Sequence, residues 1–151
     1  MTSDAPVPGF DPPPADLSYG VGGIDFIPVK ALAAGQAGYG GPDWSPDWLV
    51  VAHETTCGDP IFVDRSRPEF PVLTAMHGEG SWSPWLVAPS WKTFLDIIEV
   101  IRPFTVGREH PGGLERKPLT TKERDSIEAP LRDLLGSAST DFWDLLLSDG
   151  A

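Results

Sequence analysis

The chain has 151 residues, the usual size of one domain and enough to bury about two-thirds of its extended surface around a single core. With a hydrophobic fraction of 40%, six Trp and seven Phe, it needs no metal or disulfide staple, and the single cysteine, Cys57, cannot form an internal disulfide. A formal net charge of −11, from 11 Lys and Arg against 22 Asp and Glu, repels phosphate backbones, so nucleic-acid binding is not expected. The same acidity suits a basic partner, although solubility alone also accounts for it.

Sixteen glycines and 17 prolines predict long, turn-rich connections rather than a helical bundle. The first 20 residues contain five prolines, no basic residue and no apolar run of signal-peptide length, and read as a disordered or extended leader without a role in the fold. No stretch approaches the ~20 apolar residues of a membrane span. Together with the lack of a cysteine framework, this makes a cytoplasmic setting the expectation.

Ordered structure is expected from about Gly22. Ile24-Asp25-Phe26-Ile27-Pro28-Val29 is rich in β-formers, with Pro28 marking a strand end, and residues 30–38 suit a short helix stopped by glycine. Residues 39–46 form a loop. Four strand candidates follow at residues 47–53, 60–64, 70–77 and 81–88. Their spacing of about ten residues, with turn chemistry between, predicts an antiparallel meander, and the absence of βαβ alternation argues against a parallel sheet.

The period changes at Ser90. Trp91, Phe94, Leu95, Ile98 and Ile101 recur at helical steps, with Ser90 as N-cap and Pro103 ending the run. Residues 107–118 read as a linker. Thr120 and Glu123 then form a capping-box pattern, with Leu119 placed for a hydrophobic staple. Ile127, Leu131, Leu134 and Leu135 form the apolar side, Gly136 is a stop, and Pro130 should kink or split the helix. A last short helix is expected over residues 141–147, capped by Ser139 or Thr140. The expected organisation is a leader over 1–20, a domain over 21–106, and a helical extension over 107–151 packing on that domain.

His53-Glu54-Thr55-Thr56-Cys57 nearly matches the zinc-protease pattern HExxH, with Cys57 in place of the second His. That chemistry needs both ligands on one helical face, but here a strand precedes the motif and a turn follows it, so no metal site is expected. His53, Cys57, Asp59, Asp64, His77 and Glu79 all fall near strand ends or turns. They are the set from which a metal-dependent or Cys/His hydrolase would have to be built, if they converged. Asp59 and Asp64 as turn-shaping residues are the simpler reading. The glycine-rich stretches at 20–23 and 38–41 lack the strand-to-helix context or the lysine of a phosphate loop. No catalytic set is complete, and no cofactor is expected.

The aromatic residues carry more information. Trp48, Phe62, Trp91 and Phe94 lie inside regular elements and are assigned to the core. Trp44 and Trp82 sit in or beside Gly/Pro/Ser loops, where a large ring often anchors an interface, and Trp82 is the better candidate.

From Asp47 to Ile98 the chain resembles the SMI1/KNR4 domain of the SUKH superfamily. The resemblance rests on Asp47-Trp48-Leu49-Val50-Val51-Ala52, Gly58-Asp59-Pro60-Ile61-Phe62-Val63-Asp64, Pro71-Val72-Leu73, His77-Gly78 with Trp82, and Ala88-Pro89-Ser90-Trp91-Lys92-Thr93-Phe94-Leu95. Upstream, residues 24–29 and Gln36-Ala37-Gly38-Tyr39 fit the pattern, so it spans about 22–103. The resemblance implies an α+β fold with an antiparallel or mixed sheet of about five strands and helices packed on one side.

It also implies a non-catalytic protein-binding function, foremost that of a bacterial immunity protein neutralising a cognate toxin. A regulatory or scaffold role without a toxin is the alternative. The family's usual opening helices are missing here, and the C-terminal extension is expected to cover the sheet surface they would occupy. The binding surface is expected on the 53–59 turn and the 77–85 loop, with Trp44, Glu54, Asp59, Glu79 and Trp82 as contact residues.

Overall fold

The structure is a computed structural model that describes residues 7, 10, 13–18, 22–78, 80–105 and 119–147. Six strands, β1 (Leu17–Ser18), β2 (Gly23–Phe26), β3 (Trp48–Glu54), β4 (Pro60–Asp64), β5 (Val72–Thr74) and β6 (Trp85–Ala88), pair in sequence order into one sheet. Every pairing is antiparallel, so the expected meander is what forms, with one strand more than the five anticipated because β1 arises from the leader. The helices are α1 (Leu32–Gly35), α2 (Trp91–Ile101), α3 (Thr121–Leu135) and α4 (Asp141–Leu146). The fold is α+β.

Alternation along the strands gives the sheet two apolar faces. On one, Ile61 and Val63 of β4 and Val72 of β5 join Trp91, Phe94, Ile97, Ile98 and Ile101 of α2 and Phe142, Trp143 and Leu146 of α4 in the main core. Ile127, Leu131 and Leu135 of α3 belong to the same core. On the other face, Val50 and Phe62 lie under Tyr39, Trp44, Trp48 and Trp82, so rings rather than helices cover it.

A bulge in β3 reconciles the two. Val50 pairs with Phe62 and Ala52 with Ile61, leaving Val51 as the extra residue, and Val51 and Ala52 both enter the main core. β2 ends at Phe26 and cannot serve Val50. Gln36 does so instead, its Oε1 accepting from the Val50 N–H and its Nε2 donating to the Val50 carbonyl, both at 2.8 Å. The expected helix over residues 30–38 is accordingly short. Its first turn is a 3-10 turn over Val29–Ala31, and α1 stops where Gln36 is needed by the sheet.

α2 begins as expected. Ser90 accepts from the Thr93 N–H at 3.0 Å, and the Trp91 N–H donates to the Glu69 carbonyl, tying the helix start to the β4–β5 turn. The α-helix ends at Ile101, and a 3-10 turn carries Arg102–Thr105 through Pro103. The Thr120–Glu123 capping box is complete, and Leu119 is buried in the main core. Pro130 does not split α3. The helix runs unbroken past it, held on both sides by buried Ile127 and Leu131. α4 is pinned to the sheet edge by the Trp143 indole N–H, which donates to the Val87 carbonyl at 2.9 Å and so occupies a backbone acceptor of edge strand β6. The linker over 107–118 lies outside the described residues.

The leader departs most from expectation. Val7, Phe10 and Leu17 are buried in the main core, and the Phe10 ring packs 5.9 Å from Trp91. Asp16 accepts from the Phe26 N–H at 2.8 Å, and Arg102 donates to the Ala15 carbonyl. These bonds align β1 on β2, so the described residues of the leader take part in the fold. Phe10→Ala is expected to cost about 3–5 kcal/mol in chemical denaturation; a loss below about 1 kcal/mol would return the leader to a passive role. A chain ending at residue 106, stripped of α3 and α4, is expected to aggregate. A soluble truncation that melts cooperatively would show that the core closes without them.

Candidate functional site

Strand β3 ends in a turn organised by one carboxylate. Glu54 accepts from the backbone N–H groups of Thr56 at 2.9 Å, Cys57 at 2.7 Å and Asp59 at 3.1 Å, while its own N–H donates to the Asp59 carbonyl. Three amides bonded to one carboxylate in this way fix the turn. Glu54 is only 8% exposed. Expected among the contact residues, it lines the groove and also frames the turn.

Asp59 stands at the end of this turn. Its Oδ1 accepts from the His77 backbone N–H at 3.1 Å and meets His77 Nδ1 at 2.6 Å, joining the 54–59 turn to the segment after β5. Beside it opens a groove of about 280 Å³, lined by Glu54, Asp59 and Thr74 together with Met76, Trp85, Phe142, Leu145 and Leu146. Among the described residues Met76, at 55% exposure, and Leu145, at 67%, are the exposed large hydrophobic side chains, and both stand on this groove. Isolated apolar side chains on a surface need no explanation, but two on one concave wall form a patch.

The expected contact residues do not form one site. Glu54 and Asp59 lie at the groove. Trp44 and Trp82 lie across the sheet, half-buried in the aromatic layer, their ring centroids 5.2 Å apart and Trp44 4.7 Å from Phe62. Glu79 lies outside the described residues. Of the assigned core residues, Phe62, Trp91 and Phe94 are buried, whereas Trp48 is half-buried at the rim of the aromatic layer.

Of the residues from which a hydrolase would be built, Asp59 meets His77 and shares the groove with Cys57, whereas His53 and Asp64 lie elsewhere. His53 follows Ala52 and points to the aromatic side, where Nε2 meets the Tyr39 hydroxyl at 2.9 Å; Glu54, the next residue, points into the groove. Cys57 is exposed at the groove mouth, and the neighbouring Glu54 charge, then burial and Asp59, push its thiol upward, away from thiolate character. Asp64 accepts from Ser66 and shapes the turn after β4. Among the described residues no three His, Cys, Asp or Glu side chains come together to hold a metal ion. No described helix is long and apolar enough to cross a membrane.

The groove walls went unpredicted because they join β5 and β6 to a helix sixty residues away. One signal was present: Leu145-Leu146-Leu147 is a run of three that a helix cannot turn wholly inward. Leu146 and Leu147 are buried, and Leu145 is the residue left outside. No family model, curated protein or solved structure matches the chain.

His53 gives the aromatic side a pH dependence of known sign. Burial holds its pKa below the ordinary value, with Asp25 opposing in part. The unfolded chain therefore binds the proton more readily, and folding stability should fall as the pH drops below the unfolded value of about 6.5. Thermal melts between about pH 7 and 5 should show this slope, and it should flatten in His53→Gln. An unchanged slope in the variant would assign the effect to other groups.

Proposed function

We propose that the protein is a non-catalytic binding domain that captures a basic protein, as an immunity protein captures a toxin domain. The observation that carries this reading is the placement of Met76 and Leu145, the exposed large apolar side chains among the described residues, on one groove. Burial of such a pair against a partner gives the apolar centre that an interface needs, with the surrounding polar residues as its rim. The net charge of −11 favours a partner of opposite sign and disfavours nucleic acid.

The resemblance of residues 22–103 to the SMI1/KNR4 pattern adds the class of partner, a toxin, and the cytoplasmic setting in which a producing cell would need protection. The mechanism is occlusion by a preformed surface. Glu54 and the Asp59–His77 pair fix the turn that lines the groove, so little ordering of that turn is left for the binding step.

The test is capture of partners by the tagged chain from its source organism, followed by binding and activity measurements with the purified partner. One stoichiometric basic partner, inhibited on binding, is expected. Met76→Glu and Leu145→Glu should each weaken the complex at least tenfold while leaving the melting temperature unchanged. A complex indifferent to both changes would move the interface off the groove. Several housekeeping partners without a toxin would replace immunity by a regulatory or scaffold role, and stoichiometric bound zinc would reopen the hydrolase.

A further inference from the structure

The groove is lined by apolar side chains together with two carboxylates, and that combination selects its occupant. Resting on the docking function proposed above, we infer that the groove receives one long basic side chain of the partner, arginine or lysine, with its stem along Met76, Phe142 and Leu145 and its charged head at Glu54 and Asp59. The lining contains two carboxylates and no Lys or Arg.

Hydrogen-bond accounting leaves room at both carboxylates. Glu54 Oε1 accepts two backbone N–H groups, whereas Oε2 accepts one, from Thr56, and a carboxylate oxygen can accept two. Asp59 spends Oδ1 on His77, and among the described residues no hydrogen bond reaches its Oδ2. Glu54 is more than nine-tenths buried yet lines the groove, so its charge acts through a partly desolvated space in which an incoming cation is attracted more strongly than on open surface. The Trp85 ring, which packs on Phe142 at 6.0 Å, offers an aromatic wall suited to a guanidinium or ammonium group.

A purely apolar occupant would match Met76 and Leu145 but would bury two carboxylates with no compensating charge. A purely polar one would leave the apolar walls uncovered. Lysine and arginine carry apolar stems and charged heads, and so match both ends. The acidic field of the whole chain acts in the same direction.

The experiment is an NMR titration of the full-length protein with N-acetyl-arginine methylamide and N-acetyl-lysine methylamide. The uncharged citrulline and norleucine counterparts serve as controls. Saturable shifts centred on Thr56, Cys57, Thr74 and the Trp85 indole are expected, with the cationic probes binding at least fivefold more tightly than their counterparts. Asp59→Asn, which keeps an acceptor for His77, should bring that ratio close to one. Equal binding of the norleucine probe would overturn the basic occupant while leaving an apolar docking groove intact. Shifts from none of the probes, or shifts outside the groove, would also overturn it. Capture of a partner sensitive to Met76→Glu would survive either result, so the two proposals fail separately.

Discussion

A six-stranded antiparallel sheet has two faces to remove from water, and among the described residues helices cover one of them and aromatic rings the other. The arrangement depends on how β3 and β4 divide their side chains. Phe62 falls to one side while Ile61 and Val63 fall to the other, and the extra residue at Val51 lets β3 send two successive side chains into the helical core. Among the described residues, the cluster on the other face buries Val50, Phe62 and Ala75 fully. Large rings can close such a shallow surface because each covers about 150–250 Å², so a loop bearing Tyr39 and Trp44 does the work of a helix. Gln36 completes the closure by bonding Val50 where β2 has ended.

The two faces also explain which parts of the fold could be read from the sequence. Pro60–Asp64 is a strand at the expected bounds, and both the Ser90 cap and the Thr120–Glu123 box form, because these signals are local and involve neighbours in the chain. The leader was unreadable for the opposite reason. Val7, Phe10 and Leu17 have no periodicity, and prolines separate them; they are buried in the main core, Phe10 against Trp91, so their role exists only in three dimensions. Pro130 shows the same override in a helix, where burial on both sides outweighs one missing backbone hydrogen bond.

The site divides along the same line. Asp59 was singled out and does line the groove, because an acid beside a proline at a strand start sits in a turn. Glu54 was singled out for its charge, but what the charge does depends on where three amide groups point, and no spacing in the sequence records that. Trp44 and Trp82 follow the usual logic of loop aromatics and turn out to have a sheet face to cover. The groove walls needed β5, β6 and α4 brought together, which the Trp143–Val87 hydrogen bond helps to fix.

Charge and shape have separate duties in the proposed interaction. The field of a chain with net charge −11 acts over a Debye length of about 8 Å at physiological salt, far enough to select the sign of an approaching partner and to speed its encounter. It cannot choose one basic protein among many, because every such protein feels it. Discrimination requires a contact that a wrong partner pays for in unpaired groups, and a groove lined by two carboxylates and apolar side chains supplies one. An occupant without a cation leaves the carboxylates buried and unmatched, while one without a stem leaves Met76 and Leu145 in water. The turn that holds Glu54 in place is thus the element through which a general acidity becomes a particular preference.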